Sequence, residues 1–257
     1  MATQIKTDST SGIVDRIIAI RDKWHFKRHP MMKLLAEGKL DLRVLAVYMA
    51  QHAKYVHYGL QAFGHVYARG PADVRKMLAE NMAEEEGLIG GNTDHGAHDH
   101  MDMIYDFCDK AGLSKDEVLN VDMTPAWYGR SLYYLNCARE EPIGVILAMF
   151  FTQEGQMPAL NGEIVLPAFE KHYGIQRTDR AAIFFAEHEL ADEDHSRRQL
   201  DLAAKYLTTP ELEDRAVKVA EEMCRLRWGC TSETYRHEHL KDLEELPPDV
   251  PWEWRKN

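Results

Sequence analysis

His188, Asp192 and His195 stand at i, i+4 and i+7 in the run FFAEHELADEDHSRRQL, residues 184–200. A helix advances about 100° per residue, so the three fall within one narrow arc, with Phe184 and Phe185 beside it. Glu189, Glu193 and Asp194 fall well away from that arc, on the expected wet side. Two imidazoles and a carboxylate in line suit a borderline divalent ion such as Fe(II), Mn(II) or Zn(II). The same spacing also describes a solvated helix with histidines at chance intervals, so the triad needs partners to become a site.

Three other segments offer them. In ADVRKMLAENMAEEEG (72–87), Glu85 continues the apolar face of Val74, Leu78 and Met82, with Glu84 and Glu86 to either side. A carboxylate that prolongs a core stripe needs a partner, because burying an unpaired charge is costly. The competing reading is a helix that frays before Gly87 and leaves all three glutamates wet. In EPIGVILAMFFTQEGQMPAL (141–160), Glu154 ends a helix that is apolar nearly all round and hence buried. In HGAHDHMDMIYDFCDKAGL (95–113), His100 shares a face with Ile104, Phe107 and Ala111, whereas His98 points the other way and His95 lies in a glycine-bearing loop. One inward histidine alone is more often a hydrogen-bonded core residue than a ligand. Together, Glu85, His100, Glu154 and His188/Asp192/His195 place three carboxylates and three imidazoles on inward faces of four helices. That count matches a dinuclear carboxylate–histidine site within a helical bundle. With two divalent ions such a site carries a formal charge of about +1, four minus three.

The elements that position these residues read as helices throughout. Apolar residues recur at helical spacing, and alternating Val/Ile/Thr/Tyr runs are missing. The expected helices cover about 11–25, 30–37, 41–68, 71–87, 98–112, 115–119, 125–139, 141–157, 161–172, 178–204 and 209–239. Gly70-Pro71, Thr124-Pro125 and Glu141-Pro142 mark starts, and Gly174 a stop. One all-α domain is expected over 1–257, with its core at about 11–239 and an extended Pro-rich tail at 240–257, which holds EELPPDVPWEWRKN.

A chain of 257 residues with 45% hydrophobic content buries enough surface to fold without a disulfide or structural metal, so any metal is expected to be functional. The net charge of −11 and the absence of a basic stripe exclude nucleic acid as an expected partner. The longest apolar run, IGVILAMFF at 143–151, is too short to span a bilayer, and the N-terminus lacks the apolar run of a signal peptide. Cys108, Cys137, Cys224 and Cys230 form no CxxC pair and read as buried, reduced thiols in a cytoplasmic protein.

The run HPMMKLLAEGKLDLRVLAVYMAQHAKYVHYGLQAFGHVYARGP (29–71) resembles the entry of heme-oxygenase-like helical proteins of the TenA/PqqC type. NMAEEEG, HMDMIYDFCDKAGL, FFTQEGQMPAL with LPAFEKHYGI, and HELADEDH resemble, in order, the pattern of the heme-oxygenase-like diiron oxidases and oxygenases, a branch that includes the chlamydial CADD-type proteins. The resemblance covers roughly residues 24–205. It implies the heme-oxygenase-like (TenA/PqqC-like) bundle and two Fe(II) ions, or a Mn/Fe pair, held by Glu85, His100, Glu154, His188, Asp192 and His195. The segment between Glu85 and His100 is long, which leaves His98 as the substitute for His100. The resemblance also implies an iron-dependent oxidase or oxygenase that activates O2, with Glu85, Glu154 and Asp192 as the catalytic carboxylates. The substrate expected is a small amine-bearing or amino-acid-derived metabolite, taken to N-oxygenation or to oxidative C–C or C–N cleavage in biosynthesis. An external electron donor and a homodimer belong to the same expectation.

In this fold type the helix at 41–68 lines the pocket. Tyr48, His52 and Tyr55 share a face there, as substrate contacts or as supports for the ligands. The plainer reading of the same three is an aromatic core stripe. Arg130 or Arg139 could clamp a carboxylate. The alternatives are a cofactorless PqqC-like oxidase, a TenA-like thiamin-salvage enzyme, and a non-catalytic metal-binding or interaction protein. A thiaminase needs a nucleophilic cysteine, and Cys137 in YYLNCAREEP lacks that setting; a heme oxygenase would need His25 or His29 as an early proximal ligand.

Overall fold

Helix α8, Ile143–Glu154, is buried from Gly144 to Gln153 and forms the axis of the molecule. Its sequence is apolar on every side, so it requires cover on every side. In the computed structural model, which describes residues 9–89 and 98–242, that cover comes chiefly from α11 (Ile183–Tyr206) and α12 (Pro210–Thr234), with α1 (Ser9–Lys23) also packed against it. A second layer pairs α3 (Leu42–Arg69) with α7 (Pro125–Glu140), and α4 (Ala72–Glu85), α5 (His100–Lys110) and α6 (Lys115–Asn120) pack against α3. The short α2 (Pro30–Ala36) lies near the irregular segment after α8. No strand occurs among the described residues, and none of their helices is long and apolar enough to cross a membrane. The loop that carries His95 and the tail from 243 onward lie outside the described residues.

The starts follow the local chemistry read from the sequence. Pro stands in the first turn of α2, α7 and α12, where its missing N–H is not needed. Asp41 caps α3, and Ser114 with Glu117 forms a reciprocal capping box on α6. Two departures matter for the site. The helix expected over 141–157 stops at Glu154, because Pro158 has no N–H to give the Glu154 carbonyl. The chain then runs through α9 (Met157–Leu160), a wide π turn at Asn161–Val165, α10 (Leu166–Ala168) and a second π turn at Phe169–Tyr173. Glu154 therefore sits at a free helix end rather than inside a continuous helix. The helix expected over 178–204 begins at Ile183, after a 3-10 turn at Arg180–Ala182.

His25 and His29 are structural caps. The Nδ1 of His29 accepts the Met31 N–H at 3.1 Å, and its Nε2 meets the Ser232 hydroxyl at 3.1 Å. The Nδ1 of His25 accepts the Lys27 N–H at 3.2 Å. Burial pushes both rings down to about 4 from an ordinary 6.5, helped at His25 by Lys27, Arg227 and Arg21. In the unfolded chain these rings take a proton near 6.5, whereas the folded chain resists until about 4. Folding stability is therefore lost as pH falls through that window. His29→Asn keeps an acceptor for Met31 and loses ring packing on Trp228 and Tyr235. We expect a lower Tm than wild type at pH 7.5 and a shallower fall toward pH 4. Parallel Tm curves would remove His29 from the acid response.

Candidate metal centre

Four helix segments bring the six predicted side chains together. Glu85 is the last residue of α4 and His100 the first of α5. Gly87 turns the chain between them in the left-handed region (φ 64°), where a side chain is strained. A Cβ there would lie 2.7 Å from the Asp99 nitrogen, so the close crossing of α4's end by residues 98–99 requires glycine. Asp99 then caps α5 by accepting from the Met101 and Asp102 amides, which fixes where His100 starts. Glu154 enters from the end of α8, and His188, Asp192 and His195 from one face of α11.

The side chains form two threefold sets, Glu85/His100/His188 and Glu154/Asp192/His195, and within each set the potential ligand atoms lie within 4.8 Å of one another. His100, rather than His98, completes the first set; His98 borders the cleft beside it. Histidine orientation is fixed by the nitrogen each ring does not turn inward. The Nδ1 of His188 meets the Phe184 carbonyl one turn back at 2.7 Å, with the ring stacked on Phe184 at 4.2 Å, which leaves Nε2 for a ligand. His100 contacts the Glu85 carboxylate through Nδ1, and His195 contacts Glu84 through Nε2. His195 turns Nδ1 toward Asp192 Oδ1 at 3.6 Å.

The charges are strongly coupled. Burial and the carboxylates of Asp192 and Glu85 push Glu154 up to about 8, although His195 and Gln199 oppose this. Burial alone would discharge His195, but the Asp192, Glu84 and Glu154 carboxylates outweigh it and carry the ring up to about 11. Burial likewise opposes ionisation of Glu85, yet His100 holds it down at about 2. Without a cation, the cluster thus satisfies its carboxylates with imidazolium protons.

The donor set fits a divalent metal pair. Buried polar atoms are normally paired. Here His100 Nε2, Asp192 Oδ2 and His98 Nε2 are buried with no hydrogen-bond partner, all three at this cluster. Mixed imidazole and carboxylate ligation suits iron or manganese better than soft thiolate-binding ions.

Five of the six residues, all but His195, border one cavity. The rest of its lining includes the apolar and aromatic side chains Tyr55, Leu60, Phe63, Tyr134 and Phe184. His52 and Tyr55 line it; burial, with His100 and Arg130 nearby, pushes the His52 ring well below the ordinary imidazole value. Tyr48 does not line it. That ring stacks on Phe26 at 5.3 Å and meets Trp127 edge-on at 5.0 Å, in the core one turn of α3 before His52. Of the two arginines considered, Arg139 is exposed and Arg130 is 2% exposed on the cavity wall.

Several residues escaped the sequence reading. Glu84, which helical phase puts beside the inward face, reaches His195. Gln199, one turn past His195, donates to Glu154 Oε2. Arg227 of α12 lines the cavity together with Arg130, and Gln153 accepts a hydrogen bond from each. Arg227 stands on α12's buried stripe with Met223, Cys224, Cys230 and Thr231, a signal of the kind that marks Glu85. Glu189, expected on the wet side, is half-buried and paired with Arg177, because α11 packs against the π turn at Gly162; Glu193 is exposed as expected.

The chain is similar to known proteins over most of its length. A 4-aminobenzoate synthase of Nitrosomonas europaea is 24% identical over 232 residues, 86% of this chain and 89% of that protein. A 4-aminobenzoate synthase of Chlamydia pneumoniae is 22% identical over 213 residues, 81% of this chain and 88% of that protein. A solved domain of unknown function with a heme-oxygenase-like fold, from Shewanella denitrificans, superposes with a TM-score of 0.71 at 17% identity, covering 96% of this chain and 99% of that one, and so shares the fold. The family model described as iron-containing redox enzyme matches residues 46–228, which hold all six clustered side chains, and the chain therefore belongs to that family of iron-dependent oxidoreductases with the heme-oxygenase-like fold.

Proposed function

We propose that this chain is a non-heme diiron enzyme that uses O2 to transform a small amine-bearing metabolite, with an aminobenzoate-type product as the class suggested by the names of two relatives. The observation that carries the reading is the pair of threefold ligand sets opening on one aromatic cavity. Two ferrous ions would supply the electrons and the Lewis acidity for O2 chemistry. Glu85, His100 and His188 would hold one ion, and Glu154, Asp192 and His195 the other. Phe184 orients His188, Gln199 holds one oxygen of Glu154, and Phe63 and Phe184 keep water off the reacting face. His195 and Glu154, which hold protons in the metal-free chain, would release them to serve as ligands.

The thiaminase and heme-oxygenase alternatives draw less support. Burial pushes the thiols of Cys108, Cys137 and Cys224 up to about 12, 11 and 11, which opposes a cysteine nucleophile. His25 and His29 are occupied as helix caps rather than turned toward a heme.

Anaerobic Fe(II) titration followed by rapid mixing with O2 tests the proposal. Two irons per chain and a transient visible absorbance are expected, both lost or reduced in His188→Ala. One iron or none in wild type removes the dinuclear reading. Glu84→Gln is expected to weaken iron binding by about 10–100-fold, the usual effect of losing the carboxylate behind a ligating imidazole. A chelator competition series measures it; unchanged affinity would make the Glu84 contact incidental.

A further inference from the structure

The cavity holds two buried positive charges that the metal centre does not use. Arg130 is 2% exposed and Arg227 is 7% exposed, and both line the wall. No ion pair joins either to a carboxylate among the described residues. Their hydrogen bonds go to neutral acceptors on or near one residue. Arg130 Nη2 donates to Gln153 Oε1 at 3.3 Å, Arg227 Nη1 donates to the Gln153 carbonyl at 2.7 Å, and Arg227 Nη2 reaches Met157 Sδ at 3.6 Å. Arg130 Nε and Nη1 and Arg227 Nε are buried with no partner. An uncompensated buried guanidinium is costly, and it cannot discharge as a lysine can. Two of them beside a centre that would itself be cationic when loaded leave the cavity short of negative charge.

The guanidiniums are also held in place. Arg130 lies over the Tyr55 ring at 4.0 Å and the Trp127 ring at 5.2 Å, and Arg227 over Phe26 at 5.2 Å. Stacking fixes the planes while leaving N–H edges free, the arrangement that receives a carboxylate through paired hydrogen bonds. Gln153 anchors both, and the next residue is Glu154 of the metal cluster. A ligand seated on the arginines is thereby placed against the metal ligands.

We propose that Arg130 and Arg227 bind the carboxylate of the substrate, which makes the substrate a small aromatic or amino-acid-derived acid whose other end meets the metal centre. The inference rests on the reading of this cavity as a substrate site. Gln153 is a positioning residue in it, holding both guanidiniums without meeting the ligand's charge.

Binding of 4-aminobenzoate and of its neutral isostere 4-aminobenzamide is the test, by calorimetry under anaerobic conditions on the full chain with and without Fe(II). We expect the acid to bind at least about tenfold more tightly than the amide, the range of charged hydrogen bonds. Arg130→Met and Arg227→Met should each remove that preference, with amide affinity and iron stoichiometry unchanged. Equal binding of acid and amide by wild type, or binding of neither, overturns the proposal. So does an acid preference that survives both substitutions and disappears with iron, which would place the carboxylate on the metal. Because the comparison is also made without iron, a failed iron titration and a failed clamp are separate results.

Discussion

Asp192→Ala is expected to lower iron-dependent turnover by about 100-fold or more, with iron content falling from two per chain to one or none. Asp192 is 4% exposed, one oxygen has no protein partner, and the other lies 3.6 Å from His195 Nδ1. It thus offers a buried ligand atom that no protein group satisfies. Its removal should not unfold the apoprotein, because alanine is the better helix former and a buried carboxylate is lost. Circular dichroism should therefore match wild type, and the apo Tm should be equal or higher. Glu193→Ala, one residue along on the exposed side of α11, should leave turnover within about twofold, as surface substitutions do. The pair isolates the direction a side chain faces, since the two residues adjoin in sequence and share their charge. Full turnover in Asp192→Ala would take this residue out of the centre.

That adjacent acids can be told apart at all comes from helical phase. The 100° rule separates His188, Asp192 and His195 from Glu193 with no tertiary information, and it places Glu85 and Glu154 on buried stripes. Positions fixed by a regular helix were legible in this way. Positions fixed by a helix end were not. Glu84 reaches His195 because α4 stops one residue later and the chain crosses back at Gly87, so its phase relative to Val74 and Leu78 no longer decides where it points. The same limit separates His98 from His100: the Asp99 cap, two residues of local geometry, makes His100 the first helical residue. Tyr48 shares a face with His52 and Tyr55, yet α3 is long enough for one face to pass from the cavity into the core. Arg227 was legible in principle. Its charge stands on the buried stripe of α12 just as Glu85 prolongs one of α4, and it faces the same cavity.

Glu154→Gln is expected to stabilise the metal-free chain while removing iron-dependent activity. Burial, Asp192 and Glu85 push the Glu154 carboxyl up to about 8 from an ordinary 4.5. Between those values the folded chain holds a proton that the unfolded chain has released, so this group makes wild-type stability fall as pH rises from about 4.5 to 8. Glutamine is neutral throughout and still accepts the Gln199 hydrogen bond. The apo Tm of the variant should match wild type near pH 5 and exceed it by about 2–6 °C at pH 8, the span of one or two kcal/mol in a domain of this size. Iron reverses the order. Fe(II) binds the folded chain and raises the wild-type Tm by mass action, whereas the variant lacks one anionic ligand and gains less. A Tm difference that does not grow between pH 5 and 8 would show that Glu154 is ionised in the apoprotein, with the cluster's protons held elsewhere. A crossing of the two Tm curves on adding Fe(II) would show that the centre keeps a destabilising carboxylate because the metal requires it.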